Sequence, residues 1–289
     1  LISWQDTRFG DVQHVNAALA PDELARLGDG LRIGLPLVTL SELDVPHDVY
    51  VTSLIGFVAG ALAGTRASAM HVSDAASLGL LDITTGAWSP SALRVARLAY
   101  AQLPQPTWDE VAIGTNIRYG CSVQIPLGDQ QAALMGTGLT RGQLSINMAT
   151  GCQVSTLADK PVARVQVRPF VDHSFLHTVT HLPAGRLMRD SLALDVGRDP
   201  TDADWLEATH AQLGAFPAID LAIEQIIDAC SKAAAQVGPA NQLLFSGGVV
   251  QRFARIRKGL RDRLGLPSLT FSQDDPSLHG LRTVRLRQQ

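Results

Sequence analysis

Gly128-Asp129-Gln130-Gln131 puts a carboxylate behind a glycine and directly ahead of the small residues Ala132-Ala133-Leu134. The spacing predicts a turn that feeds a helix, with Asp129 at the helix N-terminus. Backbone amides and the helix dipole there favour the anion. An ionised carboxylate beside a ligand can accept the proton of a hydroxyl as that hydroxyl attacks phosphorus. The same residue could also serve only as a helix cap, so its neighbours in the chain have to be weighed with it.

Leu144 to Ser155 reads as a strand, a tight turn at Thr150-Gly151 and a second strand. A turn of that kind turns backbone N–H groups and a hydroxyl outward, which suits phosphate oxygens. Gln242 to Val250 reads as an apolar strand ending in a double glycine, Gly247-Gly248, before a basic helix. Glycines at that point let the backbone approach a flat ligand closely. Taken singly, each of these pairs could be no more than a structural turn.

In this order, the segments resemble the FGGY family of carbohydrate kinases, and most of all its sedoheptulokinase branch. The matching stretches are Trp4-Gln5-Asp6-Thr7-Arg8, His47 to Val51, Ser73-Asp74-Ala75-Ala76-Ser77-Leu78-Gly79, Gly128 to Leu134, Ala149-Thr150-Gly151 and Ser246-Gly247-Gly248. They span nearly the whole chain. The resemblance implies that Asp129 is the general base that deprotonates a sugar hydroxyl. It sets Trp4 against the polyol, with Asp6 and Gln130 at hydroxyl contacts. Thr150 and Gly151 match the second phosphate motif, and Gly247-Gly248 the adenosine motif, in which Gly248 is the matched glycine. Gly185 is matched to a further glycine of the nucleotide cleft. The donor implied is ATP with Mg2+, and the acceptor a ketose such as sedoheptulose or a related polyol.

The implied fold is α/β, the two-domain actin-like ATPase (ribonuclease H-like) arrangement with its first domain truncated. The expected domains are residues 1–137, carrying Asp129, and 138–289, carrying the nucleotide turns. Phosphoryl transfer in that architecture takes place in the cleft between domains, where closure excludes water. Asp129 is expected at a helix N-terminus with its carboxylate on the same side as the Trp4 indole.

Departures from the family pattern are informative too. No Asp-x-Gly-Thr turn is present to organise a metal ion, and no residue of this chain is assigned to one. Ala149 stands where the phosphate turn usually carries glycine, and Pro183-Ala184-Gly185 replaces a more glycine-rich turn. The resemblance therefore implies a kinase lacking its N-terminal portion. A non-catalytic sugar- or nucleotide-binding pseudokinase is the alternative, and an ATP-hydrolysing chaperone or actin-like protein a weaker third.

Composition allows a sizeable core: 289 residues, 46% hydrophobic and 18% charged. A net charge of −3 gives no electrostatic case for nucleic acid or an anionic membrane. Cys121, Cys152 and Cys230 are odd in number and widely spaced, which favours reduced thiols and a cytoplasmic setting. Val49 to Thr65 falls short of the roughly 20 residues of a membrane span and reads as a buried helix. Apolar surface left by the missing portion is expected to promote association, including homo-oligomers.

The elements expected around the site follow from pattern. Pro21 to Leu27 is a short helix with proline in its first turn. Leu40 to Ala63 holds one or two apolar helices, and Pro90 to Gln102 a helix capped by Ser89. Short strands are expected at Val111–Gly114 and Val123–Pro126, and strands dominate from Leu144 to Val179. Trp205 to Val237 is helical, with Leu221, Ile223, Ile226, Ile227 and Ala229 as its apolar face. His173, His177 and His181 recur every four residues, a zinc-like spacing on a helix. Their Val-, Thr- and Phe-rich setting predicts a strand instead, which separates neighbouring rings by roughly 13 Å. The basic run Arg252 to Arg263 reads as a solvated helix face rather than a nucleic-acid surface.

Overall fold

The computed structural model describes residues 10–28, 30–162, 165–271, 276 and 279–280. Two compact units divide the chain: Leu1–Gln131 with Asp159–Leu176, and Ala132–Ala158 with His177–Gln289. The division falls six residues before the expected boundary at 137/138, and a later segment, 159–176, rejoins the first unit.

The described part of the first unit opens with helices α1 (Val12–Ala18), α2 (Pro21–Arg26), α3 (Pro36–Glu42) and α4 (Leu54–Leu62). Next come β1 (Ala69–His71), α5 (Val72–Ala75), β2 (Leu81–Asp82), β3 (Ala87–Trp88), α6 (Pro90–Ala96) and β4 (Gln105–Thr107). The hairpin β5 (Ala112–Thr115) and β6 (Ser122–Gln124) precedes α7 (Asp129–Gly136). Leu37, Val38, Met70, Val72, Leu80, Leu81, Ile83 and Trp88 lead a core that removes a large apolar area from water. Ser89 caps α6 by accepting from the Ala92 N–H at 3.3 Å. That helix stops at Ala96, short of the expected Gln102, because Arg97 takes a left-handed conformation at φ 54° and reverses the chain.

The main sheet uses β7 (Gln143–Met148), β8 (Cys152–Ala158), β9 (Gln166–Pro169), β10 (Phe175–Leu182), β11 (Gln242–Ser246) and β12 (Ser268–Thr270). Their order is β12-β11-β7-β8-β10-β9. Strand β11 lies parallel between β12 and β7, and its unbroken apolar run suits a strand covered on both faces. The helices that follow Leu182 include α8 (Gly185–Val196), α9 (Asp202–His210), α10 (Pro217–Val237), α11 (Gly248–Arg252) and α12 (Ala254–Leu264).

Helix α10 packs on α8, α12 and β8 through Ile219, Ala222, Ile223, Ile226, Ile227, Cys230, Ala233, Ala234 and Val237. Leu221, expected on this face, is 61% exposed. At 3.6 residues per turn it points away from the stripe that Ile219, Ile223 and Ile226 define. Strand β11 ends at Ser246, just before the double glycine, and α11 starts at Gly248.

Candidate active site

In the first unit, the Asp129 station is built by two segments far apart in sequence. Strand β1 ends at His71, which caps the short helix α5: its Nδ1 accepts from the Ser73 N–H at 3.1 Å. The Ser73 Oγ lies 2.7 Å from the same Nδ1 and accepts from the Gly128 N–H at 3.0 Å. With Nδ1 accepting twice, the imidazole proton sits on Nε2, and the Ser73 hydroxyl donates to the ring while its lone pair faces Gly128. Gly128 has no room for a side chain, because a Cβ would strike the Gln131 Oε1 and lie 3.2 Å from the Ser73 carbonyl.

Asp129 opens α7, is exposed, and accepts from the Gln130 N–H at 2.7 Å. Gln130, half-buried, is the next helical residue. Gln131 is buried and donates from Nε2 to the Pro169 carbonyl at 2.9 Å, pinning the first turn of α7 to β9. Asp74, 2% exposed, accepts from the Ser53 hydroxyl at 2.6 Å. Burial raises its carboxyl to about 6, the Ser53 hydroxyl opposes that rise, and the charge of Asp129 adds to it. His71 is pushed down to about 4 by burial, so it is neutral at ordinary pH.

The sequence pattern alone gives no role to His71, Ser53 or Gln131, and Ser73-Asp74 enters only through the family resemblance. The available signal was a cluster of polar side chains, His71, Ser73 and Asp74, interrupting an apolar stretch. Trp4 and Asp6 lie outside the described residues.

The second unit gathers the three glycine turns. The pairing Ser246↔Asn147 sets the ends of β11 and β7 side by side, and Met148↔Cys152 closes the β7–β8 hairpin over Ala149-Thr150-Gly151. The Gly185 N–H donates to the Ala149 carbonyl, and the Arg186 N–H to the Thr150 carbonyl, each at 3.0 Å. The start of α8 is therefore docked on the Thr150 turn, and a Cβ on Gly185 would lie 2.5 Å from the Ala149 oxygen. Gly247, at φ 93°, crosses so closely over the Met148 carbonyl that any Cβ would collide with it. Thr150, Gly151, Gly185, Gly247 and Gly248 thus share one end of the sheet.

Residues at this end suit a nucleotide. Thr150 and Gly151 are exposed. Nothing lies within 4 Å of the Cβ position of Gly248, so the surface above it is open to a flat group. The case for Mg2+ is different: among the described residues no group of three or more His, Cys, Asp or Glu could hold a metal. Magnesium commonly binds through one or two carboxylates plus substrate phosphates. No side chain of this chain is assigned to it.

The histidines occupy separate environments. His173 sits in a turn at φ 56° and stacks on Trp108 at 4.8 Å, His177 is buried in β10, and the His181 ring lies 2.7 Å from the Thr180 hydroxyl. Within the basic run, Arg255 pairs with Asp220 at 2.6 Å, Arg263 reaches Glu224 and Asp228 of α10, and Arg257 donates to the Val250 and Gln251 carbonyls. No described helix is long and apolar enough to cross a membrane. Cys152 and Cys230, distant in sequence, are buried thiols with their sulfurs 3.5 Å apart, and each is free of a disulfide.

The chain has a mixed α/β fold shared with solved sugar kinases. The xylulose kinase of Lactobacillus acidophilus superposes with a TM-score of 0.79 at 15% identity, covering 98% of this chain and 70% of that one. The gluconate kinase of the same organism gives 0.79 at 15% identity over 96% and 69%. Plasmodium falciparum glycerol kinase, solved with ADP, gives 0.76 at 14% identity over 96% and 68%. No protein-family model matches the chain, and no curated protein matches it in sequence.

Proposed function

We propose that this protein is an ATP-dependent sugar kinase of the FGGY type, acting on a ketose such as sedoheptulose. The observation that carries the reading is the gathering of Thr150-Gly151, Gly185 and Gly247-Gly248 at one end of the second unit's sheet, in a fold shared with solved sugar kinases. Thr150 and Gly151 hold phosphate oxygens, and Gly248 lies under the adenosine. ATP supplies the γ-phosphoryl group. The sugar oxygen bonds to the γ-phosphorus, the bond to the β-phosphate oxygen breaks, ADP leaves, and the hydroxyl proton passes to Asp129. Gln130, with Trp4 and Asp6, positions the polyol.

The test is turnover with ATP against sedoheptulose, xylulose, ribulose and glycerol. Asp129→Asn keeps the shape and removes the proton acceptor. It should lower kcat by about two to four orders of magnitude, the usual worth of a general base, with ATP binding within about twofold of the parent. Unchanged turnover would remove Asp129 from the mechanism. ATP binding without transfer to any sugar would replace the kinase reading with a binding protein.

A further inference from the structure

We propose that Ser73 is a positioning residue for the catalytic base, its hydroxyl fixing the Gly128–Asp129 turn against the end of β1. This rests on the reading of Asp129 as the base.

The geometry is specific. Ser73 is 2% exposed and His71 fully buried, so water does not compete for their hydrogen bonds. The Gly128 N–H immediately precedes the base and finds its acceptor in Ser73 Oγ at 3.0 Å, 55 residues earlier in the chain. His71 sets the direction of that contact. Its Nδ1 lies 2.7 Å from Ser73 Oγ and takes the hydroxyl proton, which leaves an oxygen lone pair aimed at Gly128. A neutral His71 is required for this, and burial keeps it neutral above about pH 4.

The second pin, Gln131 Nε2 to the Pro169 carbonyl at 2.9 Å, holds the other side of the first turn of α7. Between the two pins the backbone that carries Asp129 has little freedom to shift. Without the Ser73 pin, Gly128 carries a buried N–H with no acceptor, and the turn relaxes toward other partners. An exposed carboxylate on a loosened turn still meets the sugar, but less often at hydrogen-bond distance from the reacting hydroxyl. A small misplacement of that kind acts on the chemical step rather than on ground-state affinity.

The variants are Ser73→Ala, which deletes the acceptor, and Ser73→Cys, which keeps the volume and offers only a weak one. Both are compared with the parent and with Asp129→Asn. The expected result for each Ser73 variant is kcat lowered about 10- to 100-fold, with KM for ATP and for the sugar within about twofold. Hydrogen exchange at the Gly128 amide should accelerate about tenfold or more in both, a readout that does not depend on turnover.

Parent-like kcat in Ser73→Ala beside an inactive Asp129→Asn overturns the positioning role and leaves the base reading intact. Parent-like exchange at Gly128 overturns it as well. A turnover-competent Asp129→Asn defeats the base reading first and the positioning role with it. If Ser73→Ala fails to fold, Ser73→Cys decides by the same two measurements.

Discussion

Asp74 and His71 are buried on consecutive elements and bear opposite pH signatures. Burial lifts the Asp74 carboxyl from 3.8 to about 6, with Asp129 adding to the lift and Ser53 and Ser77 opposing it. Between those values the folded protein keeps a proton that the unfolded chain has lost, so this group makes stability fall as pH rises. Burial lowers His71 from 6.5 to about 4, against the Trp108 backbone and Asp109, which raise it. Across that range the unfolded chain holds the extra proton, so stability rises with pH. Each displacement is worth about 3 kcal/mol, and over pH 4 to 6 the two oppose each other. Asp74→Asn should therefore uncover a rising dependence between pH 4 and 6.5, and His71→Gln a falling one between pH 4 and 6. Urea unfolding at pH 4, 5, 6 and 7 reads both slopes. Profiles parallel to the parent in both variants would show that neither group titrates differently on folding.

At the scale of elements, Gly247 and Gly248 are neighbours with separable roles. Gly247 needs its φ of 93° and its bare Cα over Met148, so Gly247→Ala should cost about 2 kcal/mol or more in unfolding free energy. Gly248 opens α11 with free space at its Cβ, so Gly248→Ala should leave stability unchanged or raise it by up to about 1 kcal/mol. Calorimetry of ATP-analogue binding should nevertheless show about tenfold weaker affinity for Gly248→Ala, because the new methyl stands where the adenosine would lie. Equal affinity in that variant would move the nucleotide elsewhere. The glycine turns were legible in the sequence as turns because glycine beside an apolar strand marks where the chain reverses or takes a positive φ. The Ser89 cap and the strand around His177 were legible for similar local reasons. The Cys152–Cys230 approach and the Ser73–Gly128 bond were not, since each joins residues whose separation in sequence carries no periodic signal. Leu221 was misplaced because an apolar residue one position off a helical stripe looks the same in composition.

Across the whole molecule, shape is held far beyond sequence: 15% identity accompanies a TM-score of 0.79. What such likeness does not convey is the surface. Helix α4 exposes Leu54, Phe57, Val58 and Leu62, and Asn116 ties the β5–β6 connection to its end by donating to the Leu62 carbonyl at 2.7 Å. Ile117 and Tyr119, on that connection, are 91% and 69% exposed. An apolar patch of this kind favours association in water. Phe57→Glu combined with Leu62→Glu should raise the concentration at which the protein stays monodisperse by sedimentation, with the thermal midpoint within a few degrees of the parent. A lower midpoint without better dispersity would mean that these side chains support the fold instead. The sheet carries a different consequence, for time rather than affinity. Its β7–β11 pair joins Gln143 to Gln242, 99 residues on, so closing that loop draws on chain entropy before any contact repays it. The Thr150 and Gly247 turns become neighbours only at that closure. On the proposed reading, nucleotide recognition would then be acquired only at that closure, and a fluorescent ATP analogue present during refolding would act as a clock for it.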